Sequence, residues 1–231
     1  MDLEILGMWL ENNLVTKKKI PVSEYLENNE TLTGDVIVKA MAMALSSSEV
    51  NASMGRIVAC PTAGSCGILP AVVLSADELI KALFTSSAVG MIIGRNATLS
   101  GAEGGCQAEC GSASAMAAAA VVEMMGGTPK MCLDAAAIVL KNILGLVCDP
   151  VAGLVEIPCA KRNAAGAVSA LSTAELVMAG VSFHIPFDDA VTAMYQVGKS
   201  LPSELRETAL GGVAITKAGL VLKKKVFGDE Q

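Results

Sequence analysis

The residues best placed to do chemistry are cysteines held in unusual backbone. Cys106 lies in NATLSGAEGGCQAECGSASAM (residues 96–116), directly after Gly104 and Gly105 and ahead of an alanine-rich stretch. The glycine pair admits backbone angles that other residues resist and lets a bulky group approach the main chain. A helix starting near Gln107 would turn its free N–H groups and positive dipole end toward that turn, which favours a thiolate there. Cys110 follows one helical turn later and points the same way. A second stretch, LVCDPVAGLVEIPC (residues 146–159), sets Cys148 two positions before Pro150 and Cys159 directly after Pro158. Proline is expected to keep both cysteines out of helix and leave thiolates and N–H groups turned toward a cluster. Zinc competes as a reading, but no second histidine or paired CxxC completes a four-ligand set. Three cysteines without an obvious fourth point instead to an iron–sulfur cluster with one open iron.

A third stretch, ACPTAGSCGILP (residues 59–70), is dense in small and hydroxyl residues and leads into an apolar run. Its backbone N–H groups, at Gly64 among others, and the hydroxyls of Thr62 and Ser65 form a candidate carboxylate site, with a plain helix-capping turn as the alternative. Cys60 and Cys66 match no zinc spacing and are expected to be buried or flanking thiols. The only histidine, His184, sits in SFHIP, where a structural role is the expected one. Lys161, Arg162 and Asn163 follow Cys159 closely and either add charge near the site or form a helix-start surface patch.

The elements that must position these residues read as helices. Apolar residues make up 52 % of the 231-residue chain but aromatics only 3 %, so the core must come from Ala, Val, Leu, Ile and Met, which suits helix against helix. Helices are expected from about residue 33 (with Val36, Ala40, Met43 and Ala44 on one face), over 81–93 ended by Gly94, over 112–125, and over 130–144 after the stop GGTP. The fold class is all-α: a single helical domain over residues 32–231, preceded by a variable segment 1–31, with Gly- and Pro-rich loops converging on one pocket. Net charge is −6 with scattered basic residues, which argues against nucleic acid. Mean hydropathy is +0.53, yet the longest charge-free run, residues 57–76, is broken by prolines and glycines, so no membrane span is expected. The acidic N-terminus is unlike a secretory signal, and seven cysteines, an odd number, suit metal binding, catalysis or burial in a reducing cytoplasm.

PTAGSCGILPA, NATLSGAEGGCQAECGSASAMAAAA and GLVCDPVAGLVEIPCAKRNAAGA together resemble the alpha subunit of the iron–sulfur L-serine dehydratases, also called L-serine ammonia-lyases. The likeness runs over about residues 32–210, including LPSELRETALGG. It implies an α-helical catalytic domain holding a 4Fe-4S cluster through Cys106, Cys148 and Cys159. It also implies conversion of L-serine to pyruvate and ammonia without pyridoxal phosphate, with the turn of Thr62, Gly64 and Ser65 holding the substrate carboxylate. Two-chain members carry a histidine-bearing motif in a separate beta subunit, so the resemblance implies such a partner, in a homo- or hetero-oligomer. Three features depart from the pattern: a short N-terminus without a TGLTGG-like motif, Arg95 where an uncharged residue is commoner, and VAITKAG after Gly212 in place of an ATPTGR-like ending. They keep open a non-catalytic iron–sulfur regulatory paralogue and a cysteine desulfidase-like lyase.

Overall fold

The computed structural model describes residues 21–73 and 79–228. Most of the expected variable segment 1–31 and part of the apolar run after Pro70 therefore lie outside the described residues. Ten α-helices are found among them: α1 (Pro21–Asn28), α2 (Asp35–Ala52), α3 (Ile68–Val73), α4 (Leu79–Asn96), α5 (Gly101–Gly104), α6 (Ser112–Met124), α7 (Pro129–Asn142), α8 (Cys159–Met178), α9 (Phe187–Ser200) and α10 (Lys217–Phe227). A π-helical turn, Gln107–Gly111, runs directly into α6. The chain is all-α, and extended pairing among the described residues is limited to one parallel bridge, Cys148 to Arg206.

The core is built around α6. Its sequence SASAMAAAAVVEM has no polar face over its first three turns, so it must be enclosed on all sides, and every residue from 112 to 122 is buried. Helices α3, α4, α7 and α8 surround it, α2 lies across α8, and α9 packs on α7. Small residues let the axes approach. A Cβ at Gly166 in α8 would meet Ser114 Oγ at 2.6 Å and Ile68 Cδ1 at 2.7 Å, and one at Gly90 in α4 would meet Met116 Sδ at 2.9 Å. The GGTP stop works through named groups: Gly126 takes a φ of 80°, and the Thr128 hydroxyl caps α7 by accepting the Met131 N–H at 3.3 Å.

Three expectations are corrected. Gly94 does not end its helix: α4 continues to Asn96, because one glycine costs a helix only about 1 kcal/mol and Leu99 packs against the space a Cβ would fill. Val36 is 62 % exposed, since the buried stripe of α2 begins only at Val38 and Ala40, where the helix meets its neighbours. Cys159 is not in non-helical backbone but is the first residue of α8, with Pro158 as its N-cap. A proline before a helix start is tolerated because the first N–H groups lack intrahelical partners. No described helix is long and apolar enough to cross a membrane.

Candidate functional site

Cys106, Cys148 and Cys159 come from three separate elements. Cys106 opens the π-helical turn, and its entry is made by Gly105 at a φ of 74°, where a Cβ would stand 2.7 Å from Leu201 Cδ1 and 2.9 Å from the Leu146 carbonyl. The Gln107 N–H donates to that same carbonyl at 3.0 Å, tying the Cys106 turn to the segment that carries Cys148. Cys148 is held in extended backbone by two bonds: its N–H donates to Leu205 O at 2.9 Å, and Glu207 N–H donates to its carbonyl at 2.7 Å. The next residue, Asp149, accepts the Val213 N–H at 2.7 Å and pairs with Arg162 of α8 at 2.9 Å. The LPSELRETALGG segment is thus the strut behind Cys148. Glu207 and Ala209 within it hold φ values of 64° and 57°, strained for residues other than glycine.

The charge of Cys106 reaches the other two thiols. Burial pushes Cys148 up, and the charges of Cys106 and Cys159 add to it. Cys159 is pushed up to about 12, by burial first and then by Cys106 and Glu109. Cys106 goes the other way: a hydrogen bond from the Cys110 thiol lowers it against the effect of burial, and Arg162 assists. Cys110, the donor, is raised. No three His, Cys, Asp or Glu side chains among the described residues gather tightly enough to hold a single metal ion. Cys60 and Cys66 stand off this group; Cys66 is buried and its thiol, pushed up to about 11 by burial, lies 3.8 Å from Ser47 O.

The turn at residues 62–65 reaches the same region from the other side. The Thr62 hydroxyl donates to the Glu109 carboxylate and lies 3.0 Å from Ser65 Oγ. Ser65 is fully buried, with its hydroxyl directed back to Cys60 O at 3.5 Å, so Thr62 and Gly64 form the front of the turn and Ser65 its backing. Asn163, one turn into α8, pins the loop: its Nδ2 donates to Gly64 O at 2.7 Å and Cys159 O at 3.0 Å, and its Oδ1 accepts the Gly67 N–H at 2.9 Å. Gly101 marks the meeting point. A Cβ there would lie 3.2 Å from Cys148 Sγ and Glu207 Oε2 and 3.4 Å from Glu109 Oε2. Burial, and then the like charge of Glu207, raises the Glu109 carboxyl, while the Thr62 bond opposes them. His184 is exposed at a bend, and Lys161 faces solvent. A cavity of about 710 Å³ between the start of α2 and the end of α8 carries no cysteine.

The model of the family described as serine dehydratase alpha chain matches residues 4–214. The chain belongs to this family. It is 48 % identical over 230 residues to the probable L-serine dehydratase alpha chain of Bacillus subtilis (strain 168), an alignment covering 96 % of this chain and 77 % of that one. The L-serine dehydratase alpha chain of Peptoniphilus asaccharolyticus is 54 % identical over 209 residues, 87 % of this chain and 72 % of its own. The probable L-serine dehydratase alpha chain of Latilactobacillus sakei is 50 % identical over 204 residues, 85 % of this chain and 98 % of its own.

Within this serine dehydratase alpha chain, sequence reasoning passed over Glu109 and Glu207. Glu109 had a signal, standing three residues after Cys106 on the same helical turn. Glu207 had none, since its loop is brought to the site by the Cys148–Arg206 bridge, between residues far apart along the chain.

Proposed function

We propose that this chain is the catalytic alpha chain of an L-serine dehydratase, deaminating L-serine to pyruvate and ammonia, with Cys106, Cys148 and Cys159 holding a 4Fe-4S cluster that has one iron free of cysteine. The observation that carries the reading is that three buried thiols from three elements, two of them raised by the charge of the third, Cys106, lie beside a turn whose donors face a carboxylate. The donor set would suit a cluster by its chemistry: three buried, soft thiols from three elements, with the charge of Cys106 acting on both of the others. When bound, the cluster supplies a Lewis acid that eases departure of the serine hydroxyl.

The chain's own residues do the rest. Thr62 and the Gly64 N–H hold the substrate carboxylate, and Asn163 keeps that turn in register with α8. Arg162, paired with Asp149, offsets thiolate charge at Cys106 and Cys159. Burial of all three cysteines keeps bulk water away. Loss of the Cα proton and of hydroxide, as water, leaves aminoacrylate, which tautomerises and hydrolyses to pyruvate and ammonia. Full activity requires a second, beta-type chain. The relatives are named alpha chains, and Leu210 in the Cys148 strut and Ile215, Leu220 and Val221 after it are exposed apolar residues. Seven free cysteines and an oxygen-sensitive cofactor suit the cytoplasm.

The test is anaerobic iron–sulfur reconstitution followed by visible absorption and a pyruvate assay, with and without the beta chain. Cys106→Ser, Cys148→Ser and Cys159→Ser each lose the cluster spectrum and pyruvate formation, while Cys132→Ser keeps both. A cluster without turnover in either case would make the chain a non-catalytic iron–sulfur subunit. Faster release of sulfide from cysteine than of pyruvate from serine would make it a desulfidase.

A further inference from the structure

The donors assigned to the substrate carboxylate are already engaged by a carboxylate of the protein itself. The Thr62 hydroxyl donates to Glu109, and the Gly64 N–H faces the same group. Gly64 lies so close that a Cβ on it would stand 2.6 Å from Glu109 Oε1 and 2.9 Å from both Cδ and Oε2. The turn cannot offer its other side, because Asn163 takes the Gly64 carbonyl at 2.7 Å and the Gly67 N–H at 2.9 Å. Ser65 cannot substitute, being buried behind Thr62.

Two carboxylates cannot share one hydroxyl and one N–H. The second would lack donors and would meet the charge of the first across a short distance in a poorly solvated site. We propose that Glu109 is a built-in occupant of the substrate-carboxylate position, displaced from Thr62 and Gly64 when L-serine binds, so that its release sets the apparent affinity for serine and for simple carboxylates. This rests on the reading of residues 62–65 as the carboxylate turn. Glu109 is suited to being displaced because its ionised form is poorly accommodated where it stands: burial and the nearby Glu207 both work against it. The π-helical turn that carries Glu109, Gln107–Gly111, suits such a role, since single π turns set in helices are frequent at functional sites.

Propionate, an unreactive carboxylate, is the probe. Its binding to the cluster-free chain is measured by calorimetry, and its inhibition of the cluster-loaded chain with its beta partner is measured alongside the KM for L-serine. Glu109→Ala should tighten propionate and lower KM by about threefold to tenfold, the weight of one hydrogen bond no longer competed for. Glu109→Gln guards against misfolding. Its amide oxygen still takes the Thr62 hydroxyl, but its charge is gone, so propionate should again bind more tightly than to the unaltered chain. Thr62→Ala should weaken propionate and raise KM. Should both Glu109 variants leave propionate binding unchanged or weaker while Thr62→Ala weakens it, displacement is overturned and Glu109 is a fixed support of the turn. Should Thr62→Ala leave propionate binding unaltered, the carboxylate-turn reading fails, and displacement with it.

Discussion

Asn163 joins three things with one side chain: the Gly64 carbonyl, the Gly67 N–H and the carbonyl of Cys159. Replacing it with alanine strands buried polar groups at about 1–3 kcal/mol each, so urea unfolding should show a loss of at least that size. Serine KM should rise more than kcat falls, because the turn loses its register rather than its donors. Cys106 and Cys110 make a second residue-scale case. The Cys110 thiol donates to Cys106 and holds it below an ordinary cysteine, so Cys110→Ala should raise the Cys106 titration seen by thiolate absorbance in the cluster-free chain, and Cys110→Ser, which keeps a donor, should restore it.

At the scale of elements, the site depends on entries and exits rather than on helix interiors. Cys106 enters its helix through Gly105, at a φ of 74° and with the Leu146 carbonyl 2.9 Å from where a Cβ would stand. Gly105→Ala should therefore cost about 1–3 kcal/mol in denaturant unfolding, and it should also disturb the Cys148 segment, because Leu146 and Val147 line the same contact. Cys148, by contrast, is held at its own backbone by a pairing with the 205–207 loop. Changes in that loop should reach the cluster without touching any cysteine.

For the molecule as a whole, Cys106 and Cys148 belong to a core whose other members are mostly alanine and valine. The alanine and valine core around α6 is continuous, so chelating the iron should leave far-ultraviolet circular dichroism nearly unchanged, unlike small domains that unfold when their metal is removed. Loading should depend on pH in a set direction. Cys148 and Cys159 are raised, the latter to about 12, so both are protonated thiols near neutrality and must lose protons to bind iron. Reconstitution should thus release protons into weakly buffered solution and become more complete as pH rises from neutral toward alkaline; a fall in loading over that range would contradict the assignment.

Much of this was legible in the chain itself. Small, branched and unbranched aliphatic residues with almost no aromatics dictate helices packed closely on helices, and the three cysteine-bearing stretches carry their chemistry in adjacent glycines and prolines. Helix ends were less legible: Gly94 and Pro158 are local breakers, and packing overrode the first while capping absorbed the second. What no local pattern contained was the company the site keeps. Glu207 comes to Cys148 through backbone pairing across nearly sixty residues of chain. Glu109 comes to Thr62 because α8, through Asn163, fixes the turn from behind. Composition and short motifs decide which elements form and which side chains carry candidate ligand atoms, since those follow from neighbours along the chain. Which carboxylate lies against which donor is decided only when the helices pack, because that distance is a property of the whole core.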